Sequence, residues 1–387
     1  MKTILLIKGT SQYAVLRYLT DLLAQAFNRL DRKAIVVDLL EPNFERQLQA
    51  ALGNDIDFVL GFNGWAINAM NGSKSLWDEY GIPFVAAFVD SPIYHWDRLW
   101  SSCTNLLATF VDQTHRTVMT RLLGIYRPAI FWPHAACEGP PSLSPVERTI
   151  DVLFSGSIGD PQDSFHVIHR MPPDVAAIIE QVLTIAETEH RYDLEEIAIQ
   201  VLANAGIAYE PCFFRLVAEA LVHVSFAVRN QRRIRGLKAL AAANFRVSVF
   251  GNGWNNISGL EGIDLHDPVE FPELLHLMQR AKIVLHMNPN FPRALHERFL
   301  SALASGAAVV SDANPYIQEV FRAGEAFEMF SWRSIEALPE IVSSLLKNTN
   351  RRKELGHAAQ LSIRQNHTWI ERAKALLAFV EAQRTLL

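Results

Sequence analysis

PRALHERFLSALASGAAVVSD, residues 292–312, reads as a helix, a tight turn and a buried strand in immediate succession. Leu295, Phe299, Ala302 and Leu303 recur at helical spacing and bury one face. Arg293, Glu297, Ser301 and Ser305 fall four apart and form a polar stripe, with room for an Arg293–Glu297 pair. Gly306 ends the helix, where a left-handed residue is often needed. The apolar run 307–310 suits a strand buried on both faces. Asp312 then falls just past the strand's carboxyl end, where open parallel sheets bind ligands.

The same grammar extends through the chain. Strands are predicted over 4–8, 34–38, 56–62, 84–89, 105–111 and 129–132, with a helix over 13–28. A second set follows at 151–155, 246–250, 262–265, 283–287 and 307–311, with a helix over 229–243 between its first two strands. Strands alternating with helices imply parallel sheets covered on both faces. At 387 residues two domains are expected. The stretch CEGPPSLSPVER, 137–148, reads as the linker between a domain at 1–136 and another at 149–366. Residues 160–228 break the pattern; helical sections at 174–190 and 194–205 mark an inserted subdomain. An amphipathic helix closes the chain over 367–387.

Composition narrows the classes. A net charge of −5 argues against a general nucleic-acid binder. Cys103, Cys137 and Cys212 lie far apart, so neither a disulfide framework nor a zinc site is expected and a cytoplasmic location fits. The opening MKTILLIKGTS is too short for a signal-peptide core, and no apolar run in the sequence approaches a membrane span.

HERFLSALASGAAVVSD (296–312) resembles the donor-site helix of GT-B glycosyltransferases, in particular the group of CgeB-like and flagellin-modifying enzymes. FVDSP (88–92), FGNGW (250–254), AKIVLHMNP (281–289) and HTWIERAKALL (367–377) follow in that family's order. The resemblance implies two Rossmann-like domains facing across a cleft, with the acceptor on the first and a nucleotide sugar on the second. The last helix would pack back on the N-terminal domain. It implies transfer of a sugar to a hydroxyl of a protein, glycan or small molecule, with no cofactor and no metal. A catalytically silent nucleotide- or sugar-binding protein and a nucleotide-sugar epimerase are the alternatives. A two-Rossmann periplasmic binding protein is a weaker one.

On the donor side the candidates are Gly156 and Ser157 as a phosphate loop, and Gly251, Gly253 and Trp254 as a loop lining the site. Either set also reads as ordinary turns, Trp254 then being packed. His266 lies where this fold receives the base through backbone groups, and its side chain reads as solvated. Asn288 fits a bond to the donor or a plain Asn-Pro turn. His296, Glu297 and Arg298 form the central set: Arg298 for the diphosphate, Glu297 for hydroxyls, His296 for sugar or phosphate, against a solvated helix face as the bland reading. Ser305 and Gly306 are counted with them. Arg229, Arg232, Arg233 and Arg235 with Lys238 read as a solvated helix face from which one arginine could reach the diphosphate. Many retaining GT-B enzymes carry Glu-x7-Glu before this glycine; here those positions are Arg293 and Ser301, so that signature is absent. Glu187 and Glu195 match the spacing but lie in the insert.

On the acceptor side Asp90, before Ser91-Pro92, and the nearby His95 are the candidate catalytic pair. Asp90 equally suits the cap of a turn. Asp112 and His134 are rivals for the base, and Gly9-Thr10 is placed near acceptor or phosphate.

Overall fold

The computed structural model describes residues 2–139 and 147–384, so most of the predicted linker, 140–146, lies outside the described residues. The chain divides into two units, Met1–Ala135 with Thr368–Leu387, and Ala136–His367.

Unit 1 holds β1 (Thr3–Lys8), β2 (Ala34–Asp38), β3 (Ile56–Phe62), β4 (Phe84–Phe88), β5 (Leu106–Phe110) and β6 (Ala129–Phe131). All pair in parallel, in the order β2-β1-β3-β4-β5-β6. β3, β4 and β5 are buried along their whole length, which is why they read as unbroken apolar runs rather than alternating ones. α1 (Val15–Arg29) covers one face through Leu19, Leu23 and Phe27. The terminal helix Trp369–Arg384 belongs to this unit and packs on α1. Trp369 meets Phe62 and Trp132 edge to face, and Trp132 Nε1 donates to the Arg372 carbonyl at 2.9 Å.

Unit 2 holds β7 (Ile150–Ser155), β8 (Val247–Phe250), β9 (Asp264–His266), β10 (Ala281–His286), β11 (Ala308–Ser311) and β12 (Glu328–Met329), parallel in the order β9-β8-β7-β10-β11-β12. Chain order reverses between β7 and β10, and that point at the carboxyl edge is where doubly wound sheets take ligands. Val152, Phe154, Val249, Ile283 and Leu285 join Leu237 and Leu240 from the crossover helix in one buried core.

The insert consists of α2 (Pro161–Ile168), α3 (Pro173–Thr188), α4 (Leu194–Asn204) and the first half of α5 (Pro211–Ala242). The crossover helix predicted from 229 thus begins at Pro211. Glu210 caps it, accepting from Cys212 N and Phe213 N. α5 is long and apolar enough to cross a membrane, unlike any run expected from sequence; half of its apolar window is buried inside the protein. It packs against α2, α3 and α4.

The helix of the 292–312 stretch is shorter than predicted. α7 spans Glu297–Ala304, and His296 is its N-cap, accepting from Arg298 N at 3.2 Å. Arg293 lies outside it and pairs with Glu319 at 2.7 Å rather than with Glu297. Gly306 does end the helix, at φ +72°. α8 (Thr349–Asn366) crosses this turn with Gly356 against it: a Cβ there would lie 2.1 Å from the Gly306 carbonyl oxygen. Backbone lies on both sides, so nothing can give without moving the helix. Gly356→Ala should therefore cost about 1–3 kcal/mol, read as a fall of roughly 2–4 °C in Tm per kcal/mol. An unchanged melting curve would mean that this contact is not part of the fold.

Candidate functional site

The carboxyl edge of the second sheet carries two loops bound to one another. Gly156 N donates to the Phe250 carbonyl at 3.0 Å, Ile158 N to the Asn252 carbonyl at 2.9 Å, and Asn252 N to Ser157 Oγ at 3.0 Å. Gly253, at φ +88°, packs so that a Cβ would lie 2.1 Å from the Ile158 carbonyl oxygen. At Gly251 a Cβ would lie 2.4 Å from the Gly156 carbonyl oxygen. These glycines bring loop to loop. Trp254 is 2% exposed, meets Phe154 edge to face and donates Nε1–H to the Gly156 carbonyl at 2.8 Å. It is a core residue under the loop, not a wall of the site.

Around this platform stand arginines. Arg298, at the start of α7, donates to the Ser155 carbonyl at 2.8 Å. Arg233, on α5, is buried and donates to the Ser157 carbonyl at 2.5 Å, while its Nε finds no partner. Among the described residues no carboxylate lies within ion-pair reach of Arg233. Burial, with Arg229 and Arg298 nearby, pushes its guanidinium well below the usual arginine value. The predicted solvated face is thus corrected. Arg235 and Lys238 are exposed, but Arg232 and Arg233 are interior.

His296 and Glu297 are buried too, so this is no solvated face. His296 Nδ1 lies 3.0 Å from Glu297 Oε2, and Glu297 Oε1 lies 3.6 Å from Arg298 Nε. Behind them β10 ends in His286, whose Nδ1 meets Ser311 Oγ at 2.9 Å. Burial, with Arg298 and Arg233, holds this imidazole well below the ordinary histidine value, so it is neutral.

A buried network locks the neighbouring strand end. Asp312 accepts from Tyr192 Oη at 2.5 Å, Trp332 Nε1 at 2.7 Å and Asn288 N at 2.7 Å. Burial raises the Asp312 carboxyl despite these donors and Arg232. Arg232 lies over the Tyr192 ring, 4.5 Å from its centroid, and donates to Asn290 Oδ1 and the Arg191 carbonyl. Tyr192 comes from the α3–α4 turn, so the insert is fastened to the sheet at the site.

Other predicted members do not assemble here. Asn288 spends its side chain on Phe291, accepting from its N–H at 3.0 Å and donating to its carbonyl at 2.8 Å, which makes it a turn former. His266 is exposed and stacks on Phe250. Ser305 and Gly306 sit at the far end of α7, before β11 begins, and serve that turn. His286 was not among the predicted residues; Arg233 was read only within a cluster from which one arginine could reach the diphosphate, and Asp312 only as a position just past a strand's carboxyl end. A polar residue closing the apolar strand AKIVLH was the one visible sign of His286.

In unit 1, Asn63 follows β3 and donates to Asp90 Oδ2 at 3.0 Å, with His95 Nε2 3.5 Å from the same oxygen. Burial would raise the Asp90 carboxyl, but His95 and Asn63, with His134, outweigh it and hold it below its ordinary value. His134 is pushed down to about 4, by burial first and against the pull of Asp90. Asp112 is buried and accepts from Thr114 N and Oγ1, a turn role. Gly9 is filled over by the Trp65 ring, so it does not offer open backbone.

Residues 229–378 match the family model described as glycosyl transferase-like. A comparison with curated proteins finds no match. Among solved structures, a sucrose-phosphate synthase from Thermosynechococcus elongatus aligns with a TM-score of 0.55 at 9% identity, covering 100% of both chains. T4 phage BGT in complex with UDP-glucose aligns at 0.55 and 11% identity, over 100% of this chain and 99% of that one. Anabaena HepE in complex with UDP-glucose aligns at 0.52 and 11%, over 100% of both. With its two parallel Rossmann-like sheets the chain has the GT-B fold, and its segment 229–378 is glycosyl transferase-like.

Proposed function

We propose that the protein transfers a sugar from a nucleotide-activated donor to a hydroxyl of a protein, glycan or small-molecule acceptor. Arg233 carries this reading. A buried guanidinium without a carboxylate costs several kcal/mol in effective desolvation, and an arriving anion relieves that cost. Arg298 and Arg229 add positive charge at the same loop edge. A nucleoside diphosphate is the anion that suits a doubly wound sheet at its switch point. As the glycosidic bond breaks, negative charge grows on the diphosphate, and fixed guanidinium groups stabilise that charge more than the ground state. Solved neighbours in complex with UDP-glucose support the donor class, and the order of the five motifs supports grouping with CgeB-like and flagellin-modifying enzymes. The buried thiols of Cys103 and Cys137 suit a cytoplasmic setting.

Asp90 is assigned as the base that takes the acceptor proton, with His95 orienting it. Arginines supply the charge, so no metal is needed.

Arg233→Met should leave the melting temperature of the free protein unchanged or higher, because an unpaired buried charge is gone. Its thermal stabilisation by nucleotide sugars should fall with a ten- to hundredfold loss of affinity, about 1.5–3 kcal/mol. A wild-type ligand shift sinks the site. Asp90→Asn should keep donor affinity and lose about 10²- to 10⁴-fold in kcat. With its pKa held below the ordinary carboxylate value by His95 and Asn63 against burial, Asp90 is ionised at neutral pH. Its stabilising contribution is complete at neutral pH and lost only as pH falls through the folded value, so no acid limb between pH 5 and 8 should belong to it. Turnover should persist in EDTA; loss restored by Mn²⁺ or Mg²⁺ would replace the arginines with a metal as the charge carrier.

A further inference from the structure

His286 has a tautomer that its neighbours dictate. Ser311 Oγ lies 2.6 Å from the Asp312 carbonyl oxygen, which can only accept, so the serine hydroxyl proton is committed there. Ser311 Oγ therefore accepts from His286, across 2.9 Å, and the imidazole carries its proton on Nδ1. Nε2 is left as a lone pair. It is buried and has no partner among the described residues. A buried acceptor without a donor is costly unless a ligand completes it.

The groups facing this ring come from three elements. Arg233 approaches from α5 and Arg298 from α7, both cationic. His296, the cap of α7, has its ring 5.7 Å away, with Glu297 against it, and Phe299 lies at 5.4 Å. Ser311 holds the other nitrogen from β11. His286, Arg298 and Ser155 line one small cavity at the ends of β7 and β10. Burial first, and then the two cations, hold the imidazole neutral. A diphosphate brings negative charge to the same arginines and reverses the sign of the local field.

We propose that His286 is a proton-coupled contact of the donor diphosphate: on binding it takes up one proton at Nε2, and the N–H so formed donates to a phosphate oxygen. This rests on the donor site assigned above. The balance is simple: one solvent proton moves to the Nε2 lone pair, no other bond changes, and the imidazolium adds one positive charge facing the leaving group. Ser311 and the Asp312 carbonyl act as positioning groups, since they fix which nitrogen is free.

Linkage sets the sign. A group whose pKa rises on binding strengthens binding as pH falls, by up to tenfold per pH unit between its free and bound values. UDP-, GDP- and ADP-glucose are suitable probes, because a diphosphate esterified at both ends does not titrate between pH 5 and 8. Calorimetry of each, in buffers of differing ionisation enthalpy at pH 6, 7 and 8, gives affinity and proton count together. Binding should tighten toward pH 6 with uptake approaching one proton. His286→Asn keeps an N–H for Ser311 and cannot titrate. It should still bind, with a flat pH profile and no uptake. Binding without proton uptake in the native protein, or uptake that persists in His286→Asn, overturns the proposal and leaves the donor site standing. If no probe binds the native protein at any pH, the donor site falls and this inference with it.

Discussion

Backbone packed against backbone at the carboxyl edge of the second sheet is the constraint on which the rest depends. The loops after β7 and β8 are joined by hydrogen bonds from Gly156 N, Ile158 N and Asn252 N, and Gly253 lets the Ile158 carbonyl lie where a side chain would begin. Trp254 supports that contact from below. With the loops fixed, the carbonyls of Ser155 and Ser157 become rigid acceptors for Arg298 and Arg233. Arg233 is thereby pinned without any acid being used, so its charge stays available, while Arg298 keeps Glu297 Oε1 3.6 Å from its Nε. Preorganisation of this kind is what electrostatic stabilisation of a leaving group requires.

α5 extends the same logic into the insert. Being continuous from Pro211 to Ala242, it belongs at once to the helical layer of the insert and to the Rossmann core. The insert is therefore a rigid extension of the helix that bears Arg229, Arg232 and Arg233. Tyr192 adds a second fastening through Asp312 at the end of β11.

Periodicity made the sheets legible. The predicted 56–62 coincides with Ile56–Phe62, because a run buried on both faces leaves little ambiguity, and 34–38 coincides with the half-buried edge strand Ala34–Asp38. The site was less legible, for reasons tied to particular residues. Charged residues at helical spacing read as a solvated face. On a helix packed on several sides, however, no composition signal separates Arg233, which is interior, from Arg235, which is not. Gly-x-Gly-Trp suggested an open loop, yet glycine is also demanded where two backbones touch, and sequence does not say whether the second backbone is protein or ligand. The Asp312 network links residues 120 positions apart, Tyr192 and Asp312, and no local window contains it. Asp90 was visible because a strand end followed by Ser-Pro fixes its place in the sheet.

Arg229 and Arg233 lie four apart on one helix, and like charges at that spacing repel by a few tenths of a kcal/mol even in water. Inside the protein the effect is larger, and Arg298 faces the same edge. Arg232, between them in sequence, points to another face, where Tyr192, Asn290 and the field of Asp312 compensate it. The helix thus holds both solutions to a buried arginine within two consecutive residues. At Arg232 the field of Asp312 and the bonds to Asn290 and the Arg191 carbonyl offset part of the burial cost, which suits a group that fastens the insert. At Arg233 the counter-charge is left out, which a structural role would not select, because removing an unpaired buried charge generally stabilises a fold. The asymmetry makes sense if the missing charge arrives with the ligand: the stability forgone at Arg233 in the free protein returns as binding energy for an anion at the loop edge.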